Sequence, residues 1–207
     1  MKWMPLIAGF LVGLVGVLGF RAFYIHQTDK SFVPKNVSYQ IDPPSEARNG
    51  EIASLSGDVK KFSRTSIDFE LTKIGEKVLL GEKIATGEDG KTVIEFKELV
   101  KITFAPKSEA AFVETIPAQF SIRQASGIIT YESKEKPIFI RSMHLLLSLT
   151  GQARVNVDQD NSKITIDILS GSATIGMKDN DNQTNKWDLK KGQRVYIDDE
   201  TRTVKII

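Results

Sequence analysis

Thr92-Val93-Ile94-Glu95-Phe96-Lys97 alternates apolar and polar side chains, and Lys101-Ile102-Thr103-Phe104 repeats the alternation a few residues later. A period of two places the apolar side chains on one face of a half-buried strand. Similar short apolar runs recur further along the chain: Ile138 to Ile140, Val155 to Val157, Ile164 to Ile168 and Val195 to Ile197. The pattern predicts a series of short antiparallel strands.

Clusters of turn-forming residues separate these strands. They are Gly87 to Gly90, Asp158 to Asn161 and Asp179 to Asn185. Such clusters of Gly, Asp and Asn mark turns between strands, and no stretch between them keeps a helical period of 3.6 for three turns. Residues 50–207 are therefore predicted to form one all-β domain, a short-stranded antiparallel β-roll or sandwich.

Glycines recur in two short signatures within this domain. The signature [Ser/Thr]-Gly-x-apolar places Gly57, Gly127, Gly151 and Gly171, and Gly-[Glu/Gln]-[Lys/Arg]-[Val/Ile] places Gly75, Gly81 and Gly192. A glycine where a strand begins or changes direction is typical of a positive φ angle or a β-bulge. We predict that these seven glycines are structural turn residues, and that none binds phosphate because no helix follows any of them.

The N-terminal end of the chain is an apolar run from Trp3 to Phe20, with only Met1 and Lys2 before it. About 18 apolar residues are enough to span a bilayer, and Trp3 and Tyr24 would lie at its two interfaces. We predict a transmembrane signal-anchor helix over residues 3–24. A cleaved secretory signal is the alternative, with Val17-Leu18-Gly19 as the cleavage site.

Small residues form a stripe along this helix. Gly9 and Gly13 make a G-x-x-x-G pair, which allows two membrane helices to approach closely. A homodimer through this helix is one expectation, and ordinary glycine content of a membrane helix is the other. Residues 25–49 are polar and contain Pro34, Pro43 and Pro44, which predicts a flexible linker.

Catalytic and metal-binding residue types are scarce. The chain has no Cys and two His residues, His26 in the linker and His144 among apolar residues of a predicted strand. His144 is therefore expected to be a strand histidine with a local partner, and too few ligands remain for zinc. The acidic segment that starts at Asp179 departs from a calcium loop, with Thr184 at the sixth position and Lys190 at the twelfth. We predict no enzyme activity, no metal and no cofactor.

Charge disfavours nucleic acid as a partner. Lys and Arg number 28 and Asp and Glu 26, and Lys2 and Arg21 belong to the N-terminal segment, so the remaining chain is neutral. The pairs Lys60-Lys61 and Lys190-Lys191 do not form a basic stripe.

Several of these motifs together resemble the FecR-like domain. They are Leu71 to Gly75, Leu80 to Gly87, Val93 to Phe96 and Ile102 to Ser108, with later matches at Ile122 to Gly127, Thr150-Gly151, Ile168 to Gly171 and Leu189 to Val195. Glu98-Leu99-Val100 replaces the Asp-Gly-Ser turn that is usual in the family, so we expect that hairpin to be rearranged.

The resemblance implies a location and a class of function. Well-known FecR proteins are inner-membrane regulators whose periplasmic FecR domain senses a receptor and whose cytoplasmic domain controls a sigma factor. Met1 and Lys2 are too few to form such a cytoplasmic domain. We therefore expect a single-pass inner-membrane protein whose C-terminal domain is periplasmic. It would act as a non-catalytic binding, signalling or scaffolding module for an envelope protein or a wall polymer.

A second class of function remains open from the sequence. A jelly-roll adaptor on one helix could carry lipid or bridge envelope components, and it would need an open apolar groove for an acyl chain. An interaction module would instead have a filled core and exposed strand edges, to which a partner can add a strand.

Overall fold

The computed structural model describes residues 46–64, 69–179 and 181–207 of the chain. The predicted signal-anchor helix over residues 3–24, with Gly9 and Gly13, and all but the end of the predicted linker lie outside the described residues. Among the residues described, no helix is sufficiently long and apolar to span a membrane.

The described chain forms fifteen β-strands and no helix, which confirms the all-β prediction. The strand pairs are antiparallel as predicted, except that β9 and β10 pair in parallel. The strands are β1 Gly50–Ser56, β2 Val59–Phe62, β3 Phe69–Leu71, β4 Lys77–Val78, β5 Lys83–Thr86, β6 Lys91–Phe96, β7 Val100–Phe104, β8 Glu109–Glu114, β9 Ser121–Ser133, β10 Ile138–Ser142, β11 Leu145–Asp158, β12 Lys163–Lys178, β13 Thr184–Lys190, β14 Arg194–Asp198 and β15 Thr203–Ile206.

Two layers share the three longest strands, β9, β11 and β12. The first layer has the order β4-β1-β6-β7-β9-β11-β12-β14-β15, and the second has the order β3-β2-β5-β8-β9-β10-β11-β12-β13. Each long strand contributes one half to each layer. In β9, for example, the first half pairs with β8 and β10, and the second half pairs with β7 and β11.

The prediction of uniformly short strands is wrong for β9, β11 and β12, which contain 13, 14 and 16 residues. Gly127, Gly151 and Gly171 lie inside these strands, near the points where pairing passes from one layer to the other. A glycine within a strand permits a sharp bend, because it has no side chain to obstruct the neighbouring backbone where the strand passes from one layer to the other. In the sequence, each such strand resembles two short strands separated by a turn.

Strand β10 pairs in parallel with β9, although only four residues connect the two strands. Parallel neighbours normally need a long crossover connection. Here the second half of β9 is part of the crossover, because it continues into the first layer before the chain returns to the second as β10. The bend near Gly127 therefore makes the parallel pairing feasible.

The core lies between the two layers and is filled by large apolar side chains. Phe96 of the first layer packs against Phe112 of the second, with ring centroids 5.2 Å apart, and its ring edge meets Phe120 at 4.7 Å. All three are at most 1 % exposed. Other fully buried side chains include Tyr131, Ile52, Ile84, Ile94, Ile102, Ile122 and Ile129.

The hairpin between β6 and β7 keeps regular register from Thr92↔Phe104 to Phe96↔Val100. The expected rearrangement at Glu98-Leu99-Val100, relative to the usual turn of FecR-like domains, stays a prediction. Glu98 itself adopts a positive φ of 63°, and the backbone N–H of Leu99 donates to the carbonyl of Phe96 at 3.0 Å. The turn thus forms without a glycine, at the cost of a left-handed backbone conformation in a glutamate.

Candidate partner-binding surfaces

The seven glycines singled out from the sequence all have positive φ angles. The seven glycines differ in the space around them. A Cβ at Gly75 or Gly192 would meet no atom within 4 Å, whereas a Cβ at Gly171 would lie 2.0 Å from the carbonyl oxygen of Thr150. Gly171 pairs directly with Gly151, so the two backbones approach closely where β11 and β12 bend. These residues shape the domain and do not line a site.

Thr86 and Ser108 form a buried hydrogen-bonded junction. The Thr86 hydroxyl donates to the carbonyl of Ala105 at 2.7 Å and accepts from the backbone N–H of Ser108 at 2.9 Å. The Ser108 hydroxyl donates to the carbonyl of Ile128 and accepts from its N–H, at 3.0 and 2.9 Å. This junction connects the two turns that follow β5 and β7 to the bend of β9 near Gly127.

A second buried polar group lies on the inner side of the same bend. Gln124 donates through Nε2 to the carbonyls of Gly127 and Val155, and its Oε1 accepts from the hydroxyl of Tyr131 at 3.0 Å. Burial raises the pKa of Tyr131 well above its ordinary value, which keeps this hydroxyl a donor. All the polar atoms of the Gln124 side chain are thus engaged.

His144 lies in the turn between β10 and β11, and its partner Asp199 is distant in sequence, so the prediction of a strand histidine with a local partner is wrong. Its Nδ1 lies 2.8 Å from Oδ2 of Asp199, and its backbone N–H donates to Oδ1 at 3.2 Å. Arg202 approaches the same carboxylate at 3.8 Å. In the described part of the chain no hydroxyl hydrogen-bonds the other ring nitrogen, so the pair joins two turns and lacks a nucleophile.

Carboxylates of the acidic turns accept hydrogen bonds within their own turns, as Asp158 does from Asn161 and Asp198 from Thr201. Asp179 accepts hydrogen bonds from the backbone N–H groups of Asp181 and Gln183 and from the side chain of Asn185, which closes the β12–β13 turn. Within residues 46–64, 69–179 and 181–207, no group of three or more His, Cys, Asp or Glu is arranged to hold a metal ion.

Strand β3 is an open apolar edge of the second layer. It pairs with β2 on one side and with no described strand on the other. Phe69 is 51 % exposed and Leu71 67 % exposed, and Phe69 contacts Phe62 with ring centroids 6.0 Å apart. Lys60 lies over the Phe69 ring at 4.5 Å. An unpaired edge with large apolar side chains is a template for strand addition.

A basic row crosses the outer face of the second layer. Directly paired residues of seven neighbouring strands form the row: Lys83, Ala111, Arg123, Arg141, Leu146, Gly176 and Lys186. Arg123 and Arg141 lie side by side on the parallel strands β9 and β10, and both are exposed. Sequence reasoning missed this surface because its residues come from strands far apart in the chain.

The outer face of the first layer carries a separate groove of about 580 Å³. Ser54, Thr103 and Thr130 contribute hydroxyl groups, Ile128 contributes an apolar surface, and Lys91 and Arg154 contribute charge. No carboxylate lines the groove among the described residues. The groove is partly open to solvent.

Comparison with known proteins identifies similar folds. Two crystal structures of "a putative anti-sigma factor from Parabacteroides distasonis ATCC 8503", at 2.50 and 1.65 Å resolution, each superpose with a TM-score of 0.53 at 9 % sequence identity. Each match covers 60 % of this chain and 58 % of the other. No family model and no curated protein matches the chain. At this identity the similarity shows a shared fold.

Proposed function

We propose that the chain is a non-catalytic binding module of the bacterial cell envelope. Residues 3–24 would hold it in the inner membrane as a single-pass anchor, and the β domain would bind an envelope protein on the periplasmic side. The motifs shared with FecR-like domains and the fold shared with the two anti-sigma-factor structures both support a signalling or scaffolding role.

The open edge of β3 carries this proposal. Partners that bind by strand addition use main-chain hydrogen bonds for affinity and side-chain pockets for specificity. The exposed side chains of Phe69 and Leu71 provide the apolar contact that such a partner needs. The filled core between the layers supports this function over lipid transport, because an acyl chain would need space that Phe96, Phe112 and Phe120 occupy.

Photocrosslinking in intact cells tests the proposal. A photoreactive phenylalanine analogue at position 71 should capture one defined envelope protein, and the same analogue at Asp160, in the exposed β11–β12 turn, should not. Leu71→Lys should abolish co-purification of the captured protein, with Leu79→Lys as the matched control, since Leu79 is 42 % exposed and lies outside β3. Recovery of lipid alone at position 71, or equal capture at both positions, would reject the proposed function.

A further inference from the structure

Arg123 and Arg141 form the basis of a further inference because they are adjacent and unpaired. Their strands run in parallel and the two residues are in register, so their Cα atoms are roughly 4.8 Å apart. Neither guanidinium forms a hydrogen bond, ion pair or ring contact with another residue in the part of the chain that the structure describes. Like charges directly side by side on a sheet oppose folding.

Nearby carboxylates in the part of the chain that the structure describes form no ion pair with either arginine. Glu109, on the same face of β8, forms an ion pair with Lys83 at 3.1 Å. Asp188, on the same face of β13, accepts a hydrogen bond from the hydroxyl of Thr174 at 2.7 Å. The charge of the two arginines is therefore available to a molecule outside the domain.

Two exposed apolar side chains lie on the same face as the arginine pair. Leu146, the next residue of the row, is 41 % exposed, and Val113 on β8 is 39 % exposed. Gly176, between Leu146 and Lys186, has no side chain, so nothing projects from the row at that point. A polyphosphate or a headgroup surface would use the cations but leave these apolar side chains without a partner.

We propose that the basic row binds an acidic segment of a partner protein in which carboxylates alternate with apolar side chains. The carboxylates would bind Arg123 and Arg141, with Lys186 about 14 Å further along the row, and the apolar side chains would cover Leu146 and Val113. Guanidinium groups suit this role because they bind carboxylates through two parallel hydrogen bonds. The inference rests on the proposed function and names the chemistry of the partner.

A defined peptide tests this chemistry in vitro. We expect a fluorescent alternating Glu–Leu decapeptide to bind the β domain within the full chain in detergent, and the double variant Arg123→Gln/Arg141→Gln to bind it at least about tenfold more weakly. Lys91→Gln/Arg154→Gln removes the same charge from the other layer and is the matched control. Equal weakening by both variants, or stronger binding of polyphosphate or anionic phosphatidylglycerol vesicles than of the peptide, would overturn the inference.

Crosslinking in cells separates this inference from the proposed function. The photoreactive analogue at position 146 should capture the protein that position 71 captures, through a segment rich in Asp or Glu, and Arg123→Gln/Arg141→Gln should abolish that capture. If position 71 still captures a protein but capture at position 146 is insensitive to the arginines, the inference fails and the proposed function stands. If neither position captures protein, both fail.

Discussion

Gln124 and Arg123 are neighbours on β9, and their side chains lie on opposite faces of the second layer. Gln124 faces the core and has every polar atom hydrogen-bonded. Arg123 faces solvent beside Arg141 and has no partner in the described chain. Burial makes an unsatisfied polar group costly, whereas water tolerates an unpaired charge. Inner polar residues of this domain therefore serve the fold, and the outer arginines remain free for binding.

Among the residues that serve the fold, the largest loss of stability is expected on substitution of Gly171. Gly171→Ala would place a side chain on a residue with a positive φ of 74° and its Cβ only 2.0 Å from the carbonyl oxygen of Thr150. We therefore expect the free energy of unfolding to fall by about 3 kcal/mol or more. Thermal unfolding would show a Tm lower by roughly 10 °C. Gly75 also has a positive φ but has open space around it. Gly75→Ala should therefore reduce the free energy of unfolding by only about 1–2 kcal/mol. Equal losses at the two positions would show that close approach is unimportant.

A smaller loss is expected where a hydroxyl is removed from the buried group of Gln124. Tyr131→Phe leaves Oε1 of Gln124 without its donor, which should reduce the free energy of unfolding by about 1–3 kcal/mol. Urea unfolding measures the change. Tyr196→Phe is the control, because Tyr196 is 41 % exposed and should change stability little. Equal changes in the free energy of unfolding of the two variants would mean that a water molecule replaces the lost hydrogen-bond donor to Gln124.

At the exposed β6–β7 turn we expect a gain. Glu98 adopts φ 63°, so Glu98→Gly relieves a conformation that costs a side-chain-bearing residue about 1–2 kcal/mol, and the variant should be more stable by about 1 kcal/mol. Lys97→Gly, one residue earlier and without a positive φ, should instead destabilise the hairpin. Denaturant midpoints distinguish the two variants, and a loss at Glu98→Gly would contradict the interpretation.

A pH dependence is expected at Glu76. Burial is the largest influence and raises its pKa, but hydrogen bonds from Lys61 and from the backbone N–H of Lys73 outweigh burial and lower the pKa below 4.5. Because the folded pKa is below the unfolded one, this stabilisation is complete above pH 4.5 and is lost as the pH falls through the folded value.

Glu76→Gln tests that dependence. It should lower Tm at pH 7 by an amount equivalent to about 1 kcal/mol or less, and the difference from wild type should vanish at low pH. Glu51→Gln is a control, since Glu51 is exposed and forms no ion pair in the described chain. A difference that persists at low pH would mean that Glu76 stabilises by packing alone.

The smallest effect on stability is expected at the basic row. Arg123→Gln and Arg141→Gln remove unpaired, mutually repelling charges, so each should leave stability within about 0.5 kcal/mol of wild type or raise it slightly. Thermal unfolding at low salt would show this best. A loss of 1 kcal/mol or more at either position would mean that these arginines support the fold, and the contrast with Gln124 would disappear.

Local patterns in the sequence predicted much of the fold because strands and turns have local causes. Alternation at Thr92 to Lys97 predicted β6, and the seven glycines were picked out by their neighbours in the sequence. The length of β9, β11 and β12 was not predictable in the same way, since a bend at Gly127 resembles a turn until the pairing on both sides is known. The same limit applied to Glu98, whose positive φ has no signal in the local sequence.

The sequence by itself determined that the domain is all-β and where its backbone turns, because alternation and glycine preference act over a few residues. Only the tertiary structure decided that Arg123 and Arg141 are neighbours and that Asp199 is the partner of His144. Those contacts depend on strand order and on the bend near Gly127, which sends half of β9 into each layer. No short stretch of sequence encodes this passage of a strand from one layer to the other, since it arises from pairing between distant strands.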